Sequence, residues 1–231
     1  MEFNLFTFIF LFAILTSVLA LLWLNFRQDK AINNSFNSVP EGFTESIKLE
    51  DHQKAGNYTK AKLLLNHFEI IFSTIVLLIW TLGGAMNFLD SFWGQRILDP
   101  ALMGTIFVLS IMLIASLIDL PFSIYRTFVL EQKFGFNRMT IKTFIGDLFK
   151  EILLTLVLML PLVYAILFLM NLEAIGDYWW IYVWVIISGF SLIMMWVYPS
   201  YIAPIFYKFN PLDNEILIIR FTSLLTRTGF A

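Results

Sequence analysis

The sequence predicts an all-α fold, a polytopic membrane helix bundle with about five transmembrane helices, its amino terminus outside and its carboxyl terminus cytoplasmic. Three observations carry this. The 231 residues are 59% hydrophobic and only 14% charged, against roughly 45–50% apolar and about 25% charged in ordinary soluble domains. Five segments lack Asp, Glu, Lys and Arg and approach the roughly 20 residues that a helix needs to cross the hydrocarbon layer. The basic residues also sort to one side: fourteen of the fifteen fall in alternate connections, as expected when Lys and Arg in short loops resist translocation.

The five predicted spans are Phe3 to Leu24, Ile70 to Leu89, Ala101 to Ile118, Ile152 to Met170 and Tyr178 to Tyr198, within a membrane domain of residues 1–209. Span one resembles a retained anchor more than a cleaved signal, because no basic n-region precedes it and no small-x-small site follows before Trp23 and Arg27. The connection 25–69 is placed in the cytoplasm. Its first half, Asn33 to Gly42, reads as loop by its turn formers. From Thr44 a polar helix is predicted, with Ala55, Tyr58, Ala61 and Leu65 as its packing stripe.

Arg96 alone lies in the outer loop between spans two and three. Trp93, Tyr178, Trp179 and Trp180 suit an aromatic belt at the outer interface, or plain packing. Gly83-Gly84 inside span two is read as a site of close helix contact. Pro121 is expected to end or kink span three. In the second cytoplasmic connection, 119–151, Gly135 and Asn137 suit a turn with positive φ, and Thr140 suits an N-cap. Three aromatics beside charged residues there suggest a helix hairpin at the membrane surface.

Pro199 and Pro204 are expected to break the helix after span five. Beyond Asn210-Pro211-Leu212-Asp213, the residues Leu217, Ile218, Phe221, Leu224 and Leu225 recur at helical spacing. Residues 210–231 are therefore read as an amphipathic cytoplasmic helix stopped by Gly229, whose apolar stripe needs a partner surface.

Chemistry-bearing motifs are sparse. A net charge of −2 offers no basic surface for nucleic acid, and the absence of Cys removes disulfides, thiolate metal sites and cysteine nucleophiles. His52 and His67 are the two histidines, and they form no His-Glu-x-x-His pair. No catalytic and no metal-binding residue is assigned in this chain. Glu69 and Asp119 are read as span-boundary residues.

The residues nevertheless resemble a family. Pro121-Phe122-Ser123, Thr127-Phe128-Val129, Glu131-Gln132-Lys133-Phe134-Gly135-Phe136-Asn137, Asp147, Lys150, Tyr198-Pro199, Ile202-Ala203-Pro204-Ile205-Phe206 and Lys208-Phe209 are similar to the membrane portion of CAAX prenyl protease-type enzymes, membrane-integrated zinc metalloendopeptidases. Lys54-Ala55, Tyr58-Thr59 and Ala61-Lys62 are similar to that family's first loop, and Gly83-Gly84 to its second helix.

The resemblance implies an amino-terminal membrane domain of a zinc-dependent peptidase. The zinc ligands would stand in a carboxyl-terminal metalloprotease domain beyond this sequence, and the chain alone would be inactive. It implies a role in the substrate chamber or in docking for Glu131, Phe134, Gly135, Phe136, Asn137, Pro199 and Pro204. The implied partners are the lipid bilayer, the metalloprotease domain and a membrane-associated peptide. The implied location is a bacterial inner membrane. A non-enzymatic membrane module, such as a lipid carrier or assembly scaffold, is the alternative.

Overall fold

The computed structural model describes residues 4–207, 209 and 213–229, with backbone only at 173–175. Phe3, Lys208 and the Asn210-Pro211-Leu212 run lie outside the described residues. The chain divides into two units, Met1–Phe168 and Leu169–Ala231.

Five helices are long and apolar enough to cross a membrane, and no strand occurs among the described residues. In the most apolar stretch of each, between 0% and 17% of residues are buried inside the protein. Phe6, Phe12, Phe88, Leu192, Met195 and Trp196 are all more than 60% exposed. A chain that leaves such surface uncovered requires lipid as its solvent, because lone helices can satisfy their backbone groups there and irregular segments cannot.

In the first unit, α1 (Leu5–Ser35) starts at Asn4, whose side chain accepts from the Thr7 amide at 3.0 Å. It runs past the predicted end of span one and takes Asn25 to Ser35 into the helix, so Asn33 to Ser35 of the expected loop are helical. The helix α2 (Leu49–Thr81) begins at Leu49 rather than Thr44 and contains both the polar segment and the apolar one. Of the predicted packing stripe, Leu65 is buried and Tyr58 and Ala61 are half-buried, but Ala55 is exposed.

Span two does not reach Leu89. The helix stops at Thr81, and Gly84 at φ +81° starts the separate helix α3 (Ala85–Gly94). Gly83 and Gly84 thus turn the chain rather than admit a neighbouring helix. A Cβ on Gly83 would lie 2.7 Å from the Ile79 carbonyl oxygen of its own helix, so a side chain there is excluded by the turn itself. The helix α3 docks on the next one through Trp93, whose Nε1 donates to Ser110 Oγ at 3.0 Å. Trp93 is therefore engaged by protein, not solely by an interface.

The helix α4 (Pro100–Phe134) is 35 residues long. Asp99 caps it by accepting from the Leu102 amide at 2.6 Å, with Pro100 in the first turn. Pro121 does not end it. The helix continues through Pro121 and widens into a π turn over Arg126–Glu131 before closing at Phe134. The π turn begins five residues after Pro121, so regular α-helix itself carries the proline, whose lost bond is the single one to the Leu117 carbonyl. The helix α5 (Ile141–Met170) follows, with Thr140 Oγ1 accepting from the Thr143 amide at 3.2 Å. That is the expected N-cap interaction.

In the second unit, α6 spans Gly176–Phe206. Pro199 and Pro204 do not break it: Tyr198–Ile202 form a π turn and Ala203–Phe206 a last α turn. The chain becomes extended only at Tyr207. The terminal helix α7 (Glu215–Thr228) is capped by Asn214 and stopped by Gly229 at φ +73°, as expected, and its described side chains are exposed.

Candidate functional site

The long connections of the first unit meet at one end of the bundle, where α2 and the end of α4 are tied together. Glu69 of α2 accepts two hydrogen bonds from Arg126 Nη2, at 2.6 and 2.8 Å. Both residues lie inside long helices, with Glu69 directly before the uncharged run that starts at Ile70. One helix turn deeper, the Phe72 and Phe122 rings are 5.1 Å apart.

On the other side, Phe128 meets Phe144 of α5 at 5.4 Å. On α1, Asn25 is 8% exposed and its Oδ1 accepts from Asn66 Nδ2 of α2 at 3.4 Å. The shared face expected for connections 25–69 and 119–151 is thus visible as contacts.

Five of the seven candidate residues form one turn. The Gly135 amide donates to the Gln132 carbonyl at 3.1 Å and the Phe136 amide to the Glu131 carbonyl at 2.9 Å. This is a Schellman closure, with Gly135 at φ +79° in the left-handed position. Asn137 does not take positive φ, since no non-glycine residue does so among the described residues. Its side chain ties the turn instead, with Oδ1 accepting from the Met139 amide at 2.7 Å and Nδ2 donating to Gln132 Oε1 at 2.9 Å. A short polar side chain next to a turn competes well for local backbone donors.

Phe134 and Phe136 then hold Tyr58 of α2 from two sides, at 5.3 and 4.9 Å with edge-on geometry. Lys62 lies 5.3 Å from the Tyr58 ring centre and Lys54 5.8 Å from the Phe136 centre. Aromatic pairs of this kind contribute roughly 0.5–1.5 kcal/mol beyond the area they bury. Pro199 and Pro204 belong to the second unit and lie in the π turn and the last turn of α6.

Sequence reasoning named Lys62, Glu69, Asp119 and Glu131 singly but missed that they line adjoining spaces beside this clamp. A polar cavity of about 360 Å³ is lined by Lys62, Asn66, Glu69, Arg126 and Glu131, among others. A second, of about 340 Å³, shares Asn66, Glu69 and Arg126 and adds Ser73, Asp119 and Ser123. An apolar groove of about 600 Å³ runs along Phe68, Ile75, Pro121 and Tyr125. On the α5 side, Asp119, Asp147 and Glu151 line a cavity of about 530 Å³, where Lys150 Nζ donates to Asp147 at 3.0 Å.

The chain's two histidines are used locally: His52 Nε2 bonds the Ser35 carbonyl at 2.8 Å and His67 Nδ1 the Leu63 carbonyl at 2.6 Å. Among the described residues, no group of three His, Asp or Glu is placed to hold a metal ion. The residues present therefore do not fit a zinc ion, and no chemical step is assigned to one here.

Known proteins place this arrangement. A family profile described as CAAX prenyl protease N-terminal, five membrane helices, matches residues 28–208. The CAAX prenyl protease 1 homolog of Dictyostelium discoideum is 34% identical over 216 residues, covering 90% of this chain and 49% of that protein. The homolog of Caenorhabditis elegans is 33% identical over 208 residues, covering 90% and 46%. The chain spans about half the length of the curated relatives it matches. The crystal structure of S. mikatae Ste24p superposes with a TM-score of 0.81 at 27% identity, over 94% of this chain and 51% of that one. These relatives are eukaryotic proteins and lend no support to a bacterial membrane, whereas the five membrane helices make the protein integral to a membrane. By the extent of these matches, the chain belongs to the CAAX prenyl protease N-terminal family.

Proposed function

We propose that this chain serves as the membrane domain of a zinc-dependent endopeptidase that cleaves membrane-associated peptides, with its carboxyl terminus and the α2–α4 end cytoplasmic. The zinc ligands and the general base belong to a metalloprotease domain that works with it. This domain supplies the chamber wall and the docking surface. The match of residues 28–208 to the family profile is the observation that carries the reading. The clamp of Phe134 and Phe136 on Tyr58 adds a physical role: it sets where the end of α4 stands. The exposed apolar stripe of α7 supplies a surface for the partner domain.

The test uses the whole product of the gene. A farnesylated peptide is expected to be cut, a zinc chelator to stop the reaction, and scrambling Gly135-Phe136-Asn137 to lower it. Undiminished cleavage by the folded scrambled protein would remove the role of the turn. A gene product that never cleaves would remove the enzyme reading in favour of a carrier or scaffold.

A further inference from the structure

The cavities at the α2–α4 end adjoin one another and together make a two-natured space. The two polar cavities share Asn66, Glu69 and Arg126. The apolar groove shares Phe72 and Phe122 with one of them and Leu65 with the other. At about 600 Å³ the groove falls in the usual range of roughly 300–1,000 Å³ for small-molecule sites. A ligand that fills all of it must be apolar along most of its length and polar at one end. In a chain embedded in a bilayer, that is the shape of a lipid.

The polar end carries both signs of charge. Arg126 spends only Nη2 on Glu69, and its Nη1 and Nε have no hydrogen-bond partner among the described residues. Lys62 lines the same cavity, with its ammonium near the Tyr58 ring rather than on a carboxylate. Glu131 also lines it, and its carboxylate has no described partner. A simple anionic head would satisfy the guanidinium and leave Glu131 facing like charge. A head with a phosphate and an ammonium satisfies both, since charge-assisted hydrogen bonds from Arg to phosphate and from ammonium to carboxylate are the strong ones.

We infer that this space binds one phospholipid of the phosphatidylethanolamine class. The phosphate lies on Arg126 and Lys62, the ammonium on Glu131, and one acyl chain along Phe72, Phe122 and Ile75. The lipid would brace α2 against α4 beside the Tyr58 clamp. The site deepens the membrane-domain reading but does not depend on proteolysis, so the two fail separately.

The purified chain in detergent, titrated with phosphatidylethanolamine, phosphatidylglycerol or phosphatidylcholine and weighed by native mass spectrometry, tests this. Phosphatidylethanolamine should bind one per chain, about tenfold tighter than either other lipid, a difference that a single satisfied charged contact produces. Arg126→Gln should lose that binding about tenfold. Glu131→Gln should lose the preference over phosphatidylcholine alone.

Ile75→Trp, which fills the groove more than three helical turns from Lys62, guards against misfolding at the charged end and should also weaken binding. Equal retention of all three lipids overturns the inference, as does unchanged binding by Arg126→Gln and Ile75→Trp. Occupation by inorganic phosphate without lipid overturns it too. So does a farnesylated peptide that takes the groove while phosphatidylethanolamine does not, because the groove would then be a substrate site.

Discussion

The helices α4 and α6 solve the same problem at their carboxyl ends and are held there differently. Each carries proline in an apolar sequence and widens into a π turn, Arg126–Glu131 in one and Tyr198–Ile202 in the other. Each π turn buries one apolar side chain, Leu130 at 4% exposure and Ile202 at 5%. The end of α4 is fixed across its unit, to α2 through Tyr58 and Glu69 and to α5 through Phe144. The ring contact described at the α6 turn is within the helix, Trp196 to Tyr201 at 5.6 Å. A membrane helix passes proline with a π turn nearby or without one, as α5 does at Pro161, and the π turn does not by itself set where the end points. Contacts from other helices do that, and at α4 they come from residues far apart in sequence.

Tyr58→Ala should separate the two ends most. It removes both edge-on ring contacts, and for a half-buried aromatic the cost is about 2–3 kcal/mol. Hydrogen exchange of the 132–137 amides should accelerate sharply while that of 198–206 stays put. Trp196→Ala, the matched change in α6, should alter only its own turn. Equal acceleration at 132–137 from both variants would dissolve the distinction.

Gly135→Ala comes next, at about 1–2 kcal/mol, because an L side chain at φ +79° meets its own backbone. Denaturant titration of the detergent-solubilised protein should show the loss. Gly229→Ala, at a similar φ on the exposed helix α7, should fray that helix's end without lowering the midpoint. Glu69→Gln is smaller still. The Arg126 side chain is 50% exposed and that of Glu69 23%, so solvent screens the pair, and its removal should cost below about 1 kcal/mol.

Sequence made the five spans legible because uncharged apolar runs of that length have one stable solution in lipid. It misplaced the end of span two because Gly83-Gly84 is uncharged, and a charge criterion runs straight through a turn that only a backbone angle reveals. It expected Pro121 to end or kink its helix and Pro199 and Pro204 to break theirs. In lipid an irregular segment would leave many backbone groups unbonded, so the helix continues through the proline. The Gly135 turn was readable because only glycine takes that φ cheaply, whereas the Asn137 contribution is a side-chain contact that a φ argument does not see. The Glu69–Arg126 pair was invisible for a different reason: counting charge by loop assigns each residue a side of the membrane but never a partner.

The finest distinction concerns the prolines themselves. Pro199→Ala restores an amide donor at the start of the α6 π turn, where the described contact is local. The turn should tighten toward α geometry, with a gain of under about 1 kcal/mol and slower exchange over 199–203. Pro121→Ala makes the same chemical change in α4. There the proline lines the apolar groove beside Phe122 and Tyr125, and the same helix delivers Phe134 to Tyr58. Straightening α4 should move those contacts off register and cost about 0.5–1 kcal/mol despite the extra hydrogen bond. Opposite signs for one substitution in two similar helices would show that the α4 proline is kept for position. Matching gains at both sites would show that the clamp tolerates a straight helix, and that the two ends differ less than their contacts imply.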